Sequence, residues 1–67
     1  MVLVIEGSRY RTFVRCRRLS NGSFTDNCVV INPKTGFTTT IASGLQSRTR
    51  LAAFHAGVEH AKRVKAY

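Results

Sequence analysis

Acidic residues are scarce in this 67-residue sequence, which contains three Asp and Glu against eleven Lys and Arg. The formal net charge is therefore +8 at pH 7 and the pI is near 10.9. Glu6, Asp26 and Glu59 lie far apart in the sequence, so no carboxylate pair suited to acid–base chemistry is apparent. A strong positive charge attracts polyanions, which makes nucleic acid, an acidic protein or an anionic membrane the candidate partners.

Other signatures are missing as well. No run of 18 apolar residues occurs, and the opening Met-Val-Leu-Val-Ile has neither the basic start nor the cleavage site of a signal peptide, so we expect a cytoplasmic protein. The sequence has no Gly-Lys-Ser or Gly-Lys-Thr phosphate loop and no Cys-His or Ser-His-Asp motif in a catalytic context. We therefore expect neither an enzyme nor a bound cofactor.

The potential metal ligands are few and badly spaced. Cys16 and Cys28 do not form a short Cys pair, and His55 and His60 are five residues apart, on different faces of a helix. We expect no metal site, and two thiols that act as small buried apolar groups in a reducing compartment.

A chain of 67 residues has room for one domain, here residues 1–67, and 43% hydrophobic residues suffice for a small core. Domains of this size are often stabilised by a partner subunit, so a homodimer would be no surprise.

Turn signals divide the first part of the chain into β-prone runs. Tyr10–Leu19 and Phe24–Asn32 flank an Asn-Gly turn, and Asn32-Pro33-Lys34-Thr35-Gly36 separates the second run from Phe37–Ile41. The opening residues Val2–Ile5 add a short strand or extend the first one. We predict an antiparallel sheet of three strands, with this segment as an optional extra strand.

The spacing of apolar residues changes after a loop at Ala42–Gln46. Apolar residues then recur at helical spacing, at Leu51, Phe54, Val58 and Ala61. This pattern predicts a helix from about Arg48 to Lys65 with Ser47 as its N-cap. The predicted fold is α+β, in the order β-β-β-α, with the sheet packed against one C-terminal helix.

The first long strand carries most of the functional signal, because a strand sends alternate side chains to opposite faces. One face would carry Arg9, Arg11, Phe13, Arg15 and Arg17. Guanidinium groups spaced by about 6.6 to 6.8 Å suit successive phosphates, or base edges in a major groove. Charged side chains on a strand also prevent aggregation at a sheet edge, which is the alternative interpretation of this pattern.

The opposite face would carry Tyr10, Thr12, Val14 and Cys16 as a core face. If Asn21-Gly22 forms a two-residue loop, Val29 and Ile31 join this core, and Phe13 shares its face with Leu19, Phe24, Cys28 and Val30. That register separates Cys16 from Cys28 and argues against a disulfide. A bulge in the hairpin would move the second strand's residues across the sheet.

Three further basic residues could support the arginine face. Lys34 lies in the predicted second hairpin turn, and Arg48 and Arg50 fall in the first turn of the predicted helix. The helix dipole disfavours positive charge there, so a bound anion would compensate.

The segment Val14-Arg15-Cys16-Arg17 and the Ala-rich Leu51–Ala56 resemble parts of the plant ethylene-response-type DNA-binding domain. The order of elements is also similar to integrase N-terminal domains and to small bacterial or phage β-β-β-α proteins. The first resemblance implies a three-stranded sheet that binds DNA in the major groove, with Arg15 and Arg17 as contact residues. The chain differs from the plant domain in having no Trp and no basic second strand.

The sequence thus favours nucleic-acid binding, with DNA ahead of RNA, through Arg9, Arg11, Phe13, Arg15, Arg17, Lys34, Arg48 and Arg50. The alternative is an adaptor or inhibitor that docks on an acidic protein, with Phe13, Phe24 and Val30 as apolar anchors. Membrane association is disfavoured, because the predicted helix has little bulky apolar content.

Overall fold

Consecutive hairpins build the sheet in chain order. The computed structural model describes residues 2–67. Within that range the elements are β1 (Leu3–Glu6), β2 (Arg11–Arg18), β3 (Phe24–Ile31), β4 (Thr38–Ile41), β5 (Gln46–Ser47) and α1 (Arg50–Arg63). The sheet is antiparallel in the order β1-β2-β3-β4, and β5 pairs with β3 beyond the end of β4. The predicted α+β class and the C-terminal helix are confirmed, and the optional N-terminal strand forms as β1.

The loop between β2 and β3 sets the register of the sheet. The backbone N–H of Leu19 donates to the Ser23 carbonyl at 2.8 Å, which leaves three residues, Ser20–Gly22, in the loop. Gly22 has φ +86°, a conformation that glycine adopts without steric cost. The loop is one residue longer than the predicted Asn-Gly turn, so Phe13 pairs with Val29.

This shift corrects the predicted faces of β3. Cys28 and Val30 lie on the core face, where both are buried, while Val29 and Ile31 lie on the opposite face with Phe13. The prediction that Val29 and Ile31 join the core was wrong, because a one-residue change in register moves every side chain of a strand to the other face.

The same shift changes the relationship of the cysteines. Cys16 pairs with Asp26 and Cys28 pairs with Val14, so both thiols lie on the core face and not on opposite faces. Both are free thiols, and Cys28 is fully buried while Cys16 is partly so.

The second hairpin follows its turn signals closely. The Gly36 N–H donates to the Asn32 carbonyl at 2.7 Å and Asn32 N–H donates to the Phe37 carbonyl at 2.9 Å. The strand begins at Thr38, one residue later than predicted, and Phe37 stays largely exposed.

The core lies between one face of the sheet and α1. The sheet contributes the buried side chains of Thr12, Val14, Cys28 and Val30, and α1 contributes Ala53, Phe54 and Ala61. Gly57 lets the helix approach closely, since a Cβ there would lie 2.8 Å from Val14 Cγ1 and 2.9 Å from Asp26 Cβ.

The side of α1 that faces the sheet carries a row of small residues. Ala53, Gly57 and Ala61 are buried and recur every four residues along this side. The position of this row explains why one predicted core residue, Leu51, is exposed. Leu51 lies about 200° around the axis from Ala53. Its side chain is therefore 70% exposed and is not part of the buried stripe predicted from its spacing.

The helix begins later than its apolar pattern suggested. Thr49 is the N-cap, and its Oγ1 accepts a hydrogen bond from the Ala52 N–H at 3.1 Å. Ser47, the predicted cap, belongs to β5 because residues 46–47 pair with Thr25 and Phe24. Arg48 consequently precedes the helix cap and does not lie in the first turn, where it was predicted.

The helix ends at Arg63, two residues before the predicted end. Lys65 adopts a left-handed φ of +57°, and the Ala66 N–H donates to the Ala61 carbonyl at 2.9 Å. This is a Schellman-type cap with Lys where glycine is common. The Thr12 hydroxyl donates to the Ala66 carbonyl, which ties the C-terminal turn to the sheet.

Candidate nucleic-acid interface

The face of the sheet opposite α1 carries the predicted arginines of β2. No other element described in residues 2–67 packs on this surface, which we call the open face. Arg11, Arg15 and Arg17 are exposed on it, and Phe13 is half-buried among them. Across the sheet they stand beside Ile31, Asn27, Thr25 and Val29, respectively. The predicted alternation of β2 is therefore present in the fold.

The open face divides into an apolar part and a polar part. Near β1, Phe13 lies between Val4 and Val29, and Ile31 stands in the next row. Arg11 also belongs to this part, and its Nε lies 2.9 Å from the Glu6 carboxylate. Part of the charge of Arg11 is thus balanced within the protein, so Arg11 is a weaker anion ligand than its exposure suggests.

The polar part begins where β1 ends. Within residues 2–67, β1 pairs with β2 only over residues 11–14, so Arg15–Arg18 have no strand neighbour on that side in this range. Arg15 and Arg17 project from the open face, with Asn27 and Thr25 as their direct neighbours on β3. Arg17, Thr25 and Asn27 line a shallow depression of about 300 Å³ together with the loop at Ala42 and Gly44. A guanidinium, an amide and a hydroxyl thus share one accessible surface.

Further arginines surround the same end of the sheet. Arg18 projects to the helix side and pairs with Phe24, and the Arg50 guanidinium carbon lies 5.1 Å from the centre of the Phe24 ring. Arg48 lies between β5 and the helix cap, next to Ser47, which pairs with Phe24. We call this group the basic end, and it consists of Arg15, Arg17, Arg18, Arg48 and Arg50.

Hydrogen bonds hold the backbone of the basic end in place. The Asp26 carboxylate is buried and accepts the Ser43 N–H at 2.9 Å and the Ser43 hydroxyl. Thr25 Oγ1 donates to the Leu45 carbonyl at 2.9 Å, and Asn21 Nδ2 donates to Gln46 Oε1 at 3.1 Å. These bonds attach the loop before β5 to β3, so the arginines project from an ordered framework.

The acidic side chains lie away from the basic end or are used internally. Asp26 is 1% exposed, Glu6 pairs with Arg11, and Glu59 is on α1. Across residues 2–67, therefore, no exposed carboxylate belongs to the basic end. Its positive field is unopposed at the surface.

The structure separates other predicted site residues from this group. Arg9 lies in the β1–β2 turn, where it lines a depression of about 260 Å³ with Lys62, Lys65 and Tyr67. Lys34 lies in the β3–β4 turn, at the same end of the sheet as Arg9. Eight residues of strand separate Arg9 from Arg17, a span of about 26 Å. The predicted set therefore splits between two ends of the molecule.

Sequence reasoning missed three residues of the site. Arg18 was not among the predicted contacts, and it lies on the same side of β2 as the core residues, yet its side chain is exposed. Asn27 and Thr25 reach the open face only through the register set by the three-residue loop. The Gly22 in that loop was the available signal, because a glycine with positive φ often ends a three-residue hairpin loop.

Neither a metal cluster nor a spanning helix is found among the described residues. Between residues 2 and 67, no group of three or more His, Cys, Asp and Glu side chains could hold a metal ion. Within the same range, α1 is too short and too polar to cross a membrane.

Comparison with protein-family models, curated proteins and solved structures finds no match to this chain.

Proposed function

We propose that the protein binds nucleic acid, with duplex DNA favoured, through the basic end and the adjoining open face. The observation that carries the proposal is the clustering of five arginines around one end of the sheet without an exposed carboxylate beside them. Arg15 and Arg17 are the central contacts, and Arg18, Arg48 and Arg50 flank them.

The chemistry of these side chains suits a phosphate backbone. Arginine presents a planar fork of donors that pairs with phosphate in a bidentate manner. Arg15 and Arg17 are two residues apart on one strand, so their Cα atoms are separated by about 6.7 Å. Each phosphate contact releases counterions, so a surface of this kind binds polyanions tightly at low salt.

The neighbouring polar residues offer a means of reading bases. The major groove of DNA admits a two-stranded β-ribbon, and β2 and β3 form such a ribbon beyond the end of β1. Arginine pairs well with guanine, and asparagine pairs well with adenine. Arg17 and Asn27 line one depression and are the candidates for base contacts. Phe13 lies at the border of this region and would pack against a sugar or base.

Fluorescence anisotropy of labelled duplex DNA, single-stranded DNA and RNA, from about 50 to about 200 mM salt, tests the proposal. The key variant is Arg15→Ala with Arg17→Ala. Its matched control is Arg9→Ala with Lys34→Ala, which removes the same charge from the opposite end of the sheet. We expect salt-sensitive binding by the wild type and a salt slope lowered by about two units in the first variant only.

Two outcomes would contradict this assignment. Equal losses in the two double variants would mean that net charge, and not the basic end, determines binding. Absence of binding at the lowest salt would exclude nucleic acid as a partner.

The apolar part of the open face supports a second candidate, which is docking on an acidic protein. Val4, Phe13, Val29 and Ile31 form a patch beside the arginines, the arrangement of an apolar anchor inside a charged rim. Two anchors predicted from the sequence are not on this patch. Phe24 lies on the helix side under Arg50, and Val30 is buried in the core. The anchors are thus Phe13 and its neighbours.

Labelled poly-glutamate separates the two candidates, because it supplies carboxylates without phosphates or bases. Nucleic-acid binding predicts that duplex DNA binds more tightly than poly-glutamate of equal charge. Equal affinity for both polymers would favour the acidic-protein partner.

A further inference from the structure

Strand β1 leaves one edge of the sheet without a neighbour in residues 2–67. The Gly7 N–H donates to the Tyr10 carbonyl at 3.0 Å, which makes Gly7 and Tyr10 a hydrogen-bonded pair. Hydrogen-bonded and non-hydrogen-bonded pairs alternate along an antiparallel ladder. Leu3 and Ile5 therefore bond to β2, whereas the backbone groups of Val4 and Glu6 point outward from the edge.

Several exposed apolar side chains lie along this same edge. Val2, Leu3 and Val4 are 43%, 42% and 47% exposed, and Leu51 on the adjoining turn of α1 is 70% exposed. Leu3 and Leu51 line a groove of about 240 Å³ between β1 and α1, together with Phe54 and Val58. Edge strands are normally protected by charged side chains, Pro, a bulge or very short length. β1 is four residues long and ends in Glu6, but its residues Leu3–Ile5 include no charged side chain and no Pro.

The charge distribution indicates what can approach the edge. The chain carries a net charge of +8, so two copies repel one another over most of their surfaces. β1 contains no Lys or Arg, Glu6 is paired with Arg11, and the groove beside β1 is lined by both Glu59 and Lys62. Acidic and basic groups are thus close to balanced at the β1 side, so repulsion between copies is weaker there than at the basic end. A polyanion is attracted less strongly to this edge than to the basic end.

We propose that β1 pairs antiparallel with β1 of a second copy of this chain, in a register centred on Val4. In that register Val4 faces its own counterpart, and Leu3 faces Ile5 of the second copy. The outward N–H and C=O groups of Val4 bond to those of the second Val4, which follows the ladder pattern. The pairing is self-complementary, as a twofold interface requires.

The pairing would join two sheets into one and extend both open faces. The two β2 strands would lie three strand spacings apart, about 14 Å, with their basic ends directed oppositely. This consequence for binding depends on the proposed function, whereas the pairing itself does not.

Sedimentation equilibrium of the full chain without nucleic acid tests the pairing. The chain mass is 7.5 kDa, so a dimer has a mass of 2 × 7.5 = 15 kDa. Val4→Pro removes an outward N–H and no bond of the β1–β2 ladder, so it should convert the dimer to a 7.5 kDa monomer with an unchanged far-ultraviolet circular dichroism spectrum.

The matched control is Thr40→Pro on the opposite edge strand. Asn32 bonds to Phe37, so by the same alternation Thr40 also directs its N–H outward. This variant should remain a dimer. Val4→Arg provides a second test that keeps the backbone N–H, because it places two like charges opposite each other at the proposed twofold axis, and it too should be monomeric.

A wild type that is monomeric at all concentrations would overturn the proposal. A dimer that survives Val4→Pro and Val4→Arg, or one that dissociates only in Thr40→Pro, would overturn it as well. None of these results bears on whether the monomer binds nucleic acid, which the anisotropy titration measures separately.

Discussion

The two faces of one strand in this protein have opposite environments. On β2, Thr12 and Val14 are fully buried under α1, whereas Arg11, Arg15 and Arg17 are exposed on the open face. The buried face is packed so closely that the helix has a glycine at its point of nearest approach. Substitutions on the buried face should therefore change stability, and those on the polar part of the open face should change binding.

The largest expected difference in stability is between truncation of a core Phe, Phe54, and truncation of a Phe on the open face, Phe13. Phe54 is 4% exposed and packs with Val14 and Cys28, so Phe54→Ala should lower the free energy of unfolding by about 3–5 kcal/mol. Phe13→Ala, on the open face, should lower it by no more than about 1–2 kcal/mol, because Phe13 is only half-buried. Urea denaturation followed by circular dichroism measures both values, and equal losses would mean that the open face is part of the core.

Two carboxylates extend the comparison to polar groups. Asp26 is buried and accepts two hydrogen bonds from Ser43, so Asp26→Ala should lower the free energy of unfolding by about 1–3 kcal/mol. Glu6 forms an exposed pair with Arg11, so Glu6→Ala should change it by less than about 1 kcal/mol. The same denaturation experiment applies, and a larger effect at Glu6 would contradict the prediction.

The Cys28 thiol should make the buried face sensitive to alkaline pH. Burial, and secondarily the nearby Asp26 carboxylate, raise the pKa of Cys28 from 9.0 to about 11. Because the folded pKa exceeds the unfolded one, this contribution to stability is complete below pH 9.0 and is lost as the pH rises towards about 11. The loss reaches about 3 kcal/mol at most. Cys28→Ala has no thiol, so it should not lose stability in this way. The difference in unfolding free energy between the wild type and the variant should therefore decrease between pH 9.0 and about 11.

The smallest expected effects are on the salt dependence of DNA binding, for single arginine substitutions on the open face. Arg15 has a polar neighbour in Asn27, whereas the charge of Arg11 is partly balanced by Glu6. Arg15→Ala should lower the salt slope of DNA binding by about one unit, and Arg11→Ala should lower it by clearly less. Anisotropy titrations at several salt concentrations measure both slopes. Equal decreases would show that the Glu6 pair opens when DNA binds.

Much of the candidate site follows from local sequence. The alternation of Arg and apolar residues in β2 predicted which side chains share the open face, because successive residues of a strand point to opposite sides. Arg15 and Arg17 were identified in this way. Arg9 was grouped with them by the same alternation, and Lys34 by its place in the second hairpin turn, but the strand geometry places those two at the other end.

Three features depended on contacts between distant residues. The three-residue loop at Ser20–Gly22 decided which residues of β3 enter the core. The close approach at Gly57 decided which side of α1 is buried, and so left Leu51 exposed. Pairing of Gln46 and Ser47 with β3 delayed the helix until Thr49 took the cap.

The sequence by itself therefore determined the fold class, the order of β2, β3, β4 and α1, the places of the two hairpin turns between these strands, and the arginine-bearing side of β2. These follow from strand alternation, turn residues and helical spacing, which act over a few residues. Only the tertiary structure decided the register of β3, the rotation of α1, the clustering of five arginines at one end and the free edge of β1. Those features are set by which surfaces pack together across the sheet, and a one-residue shift in pairing is enough to change them.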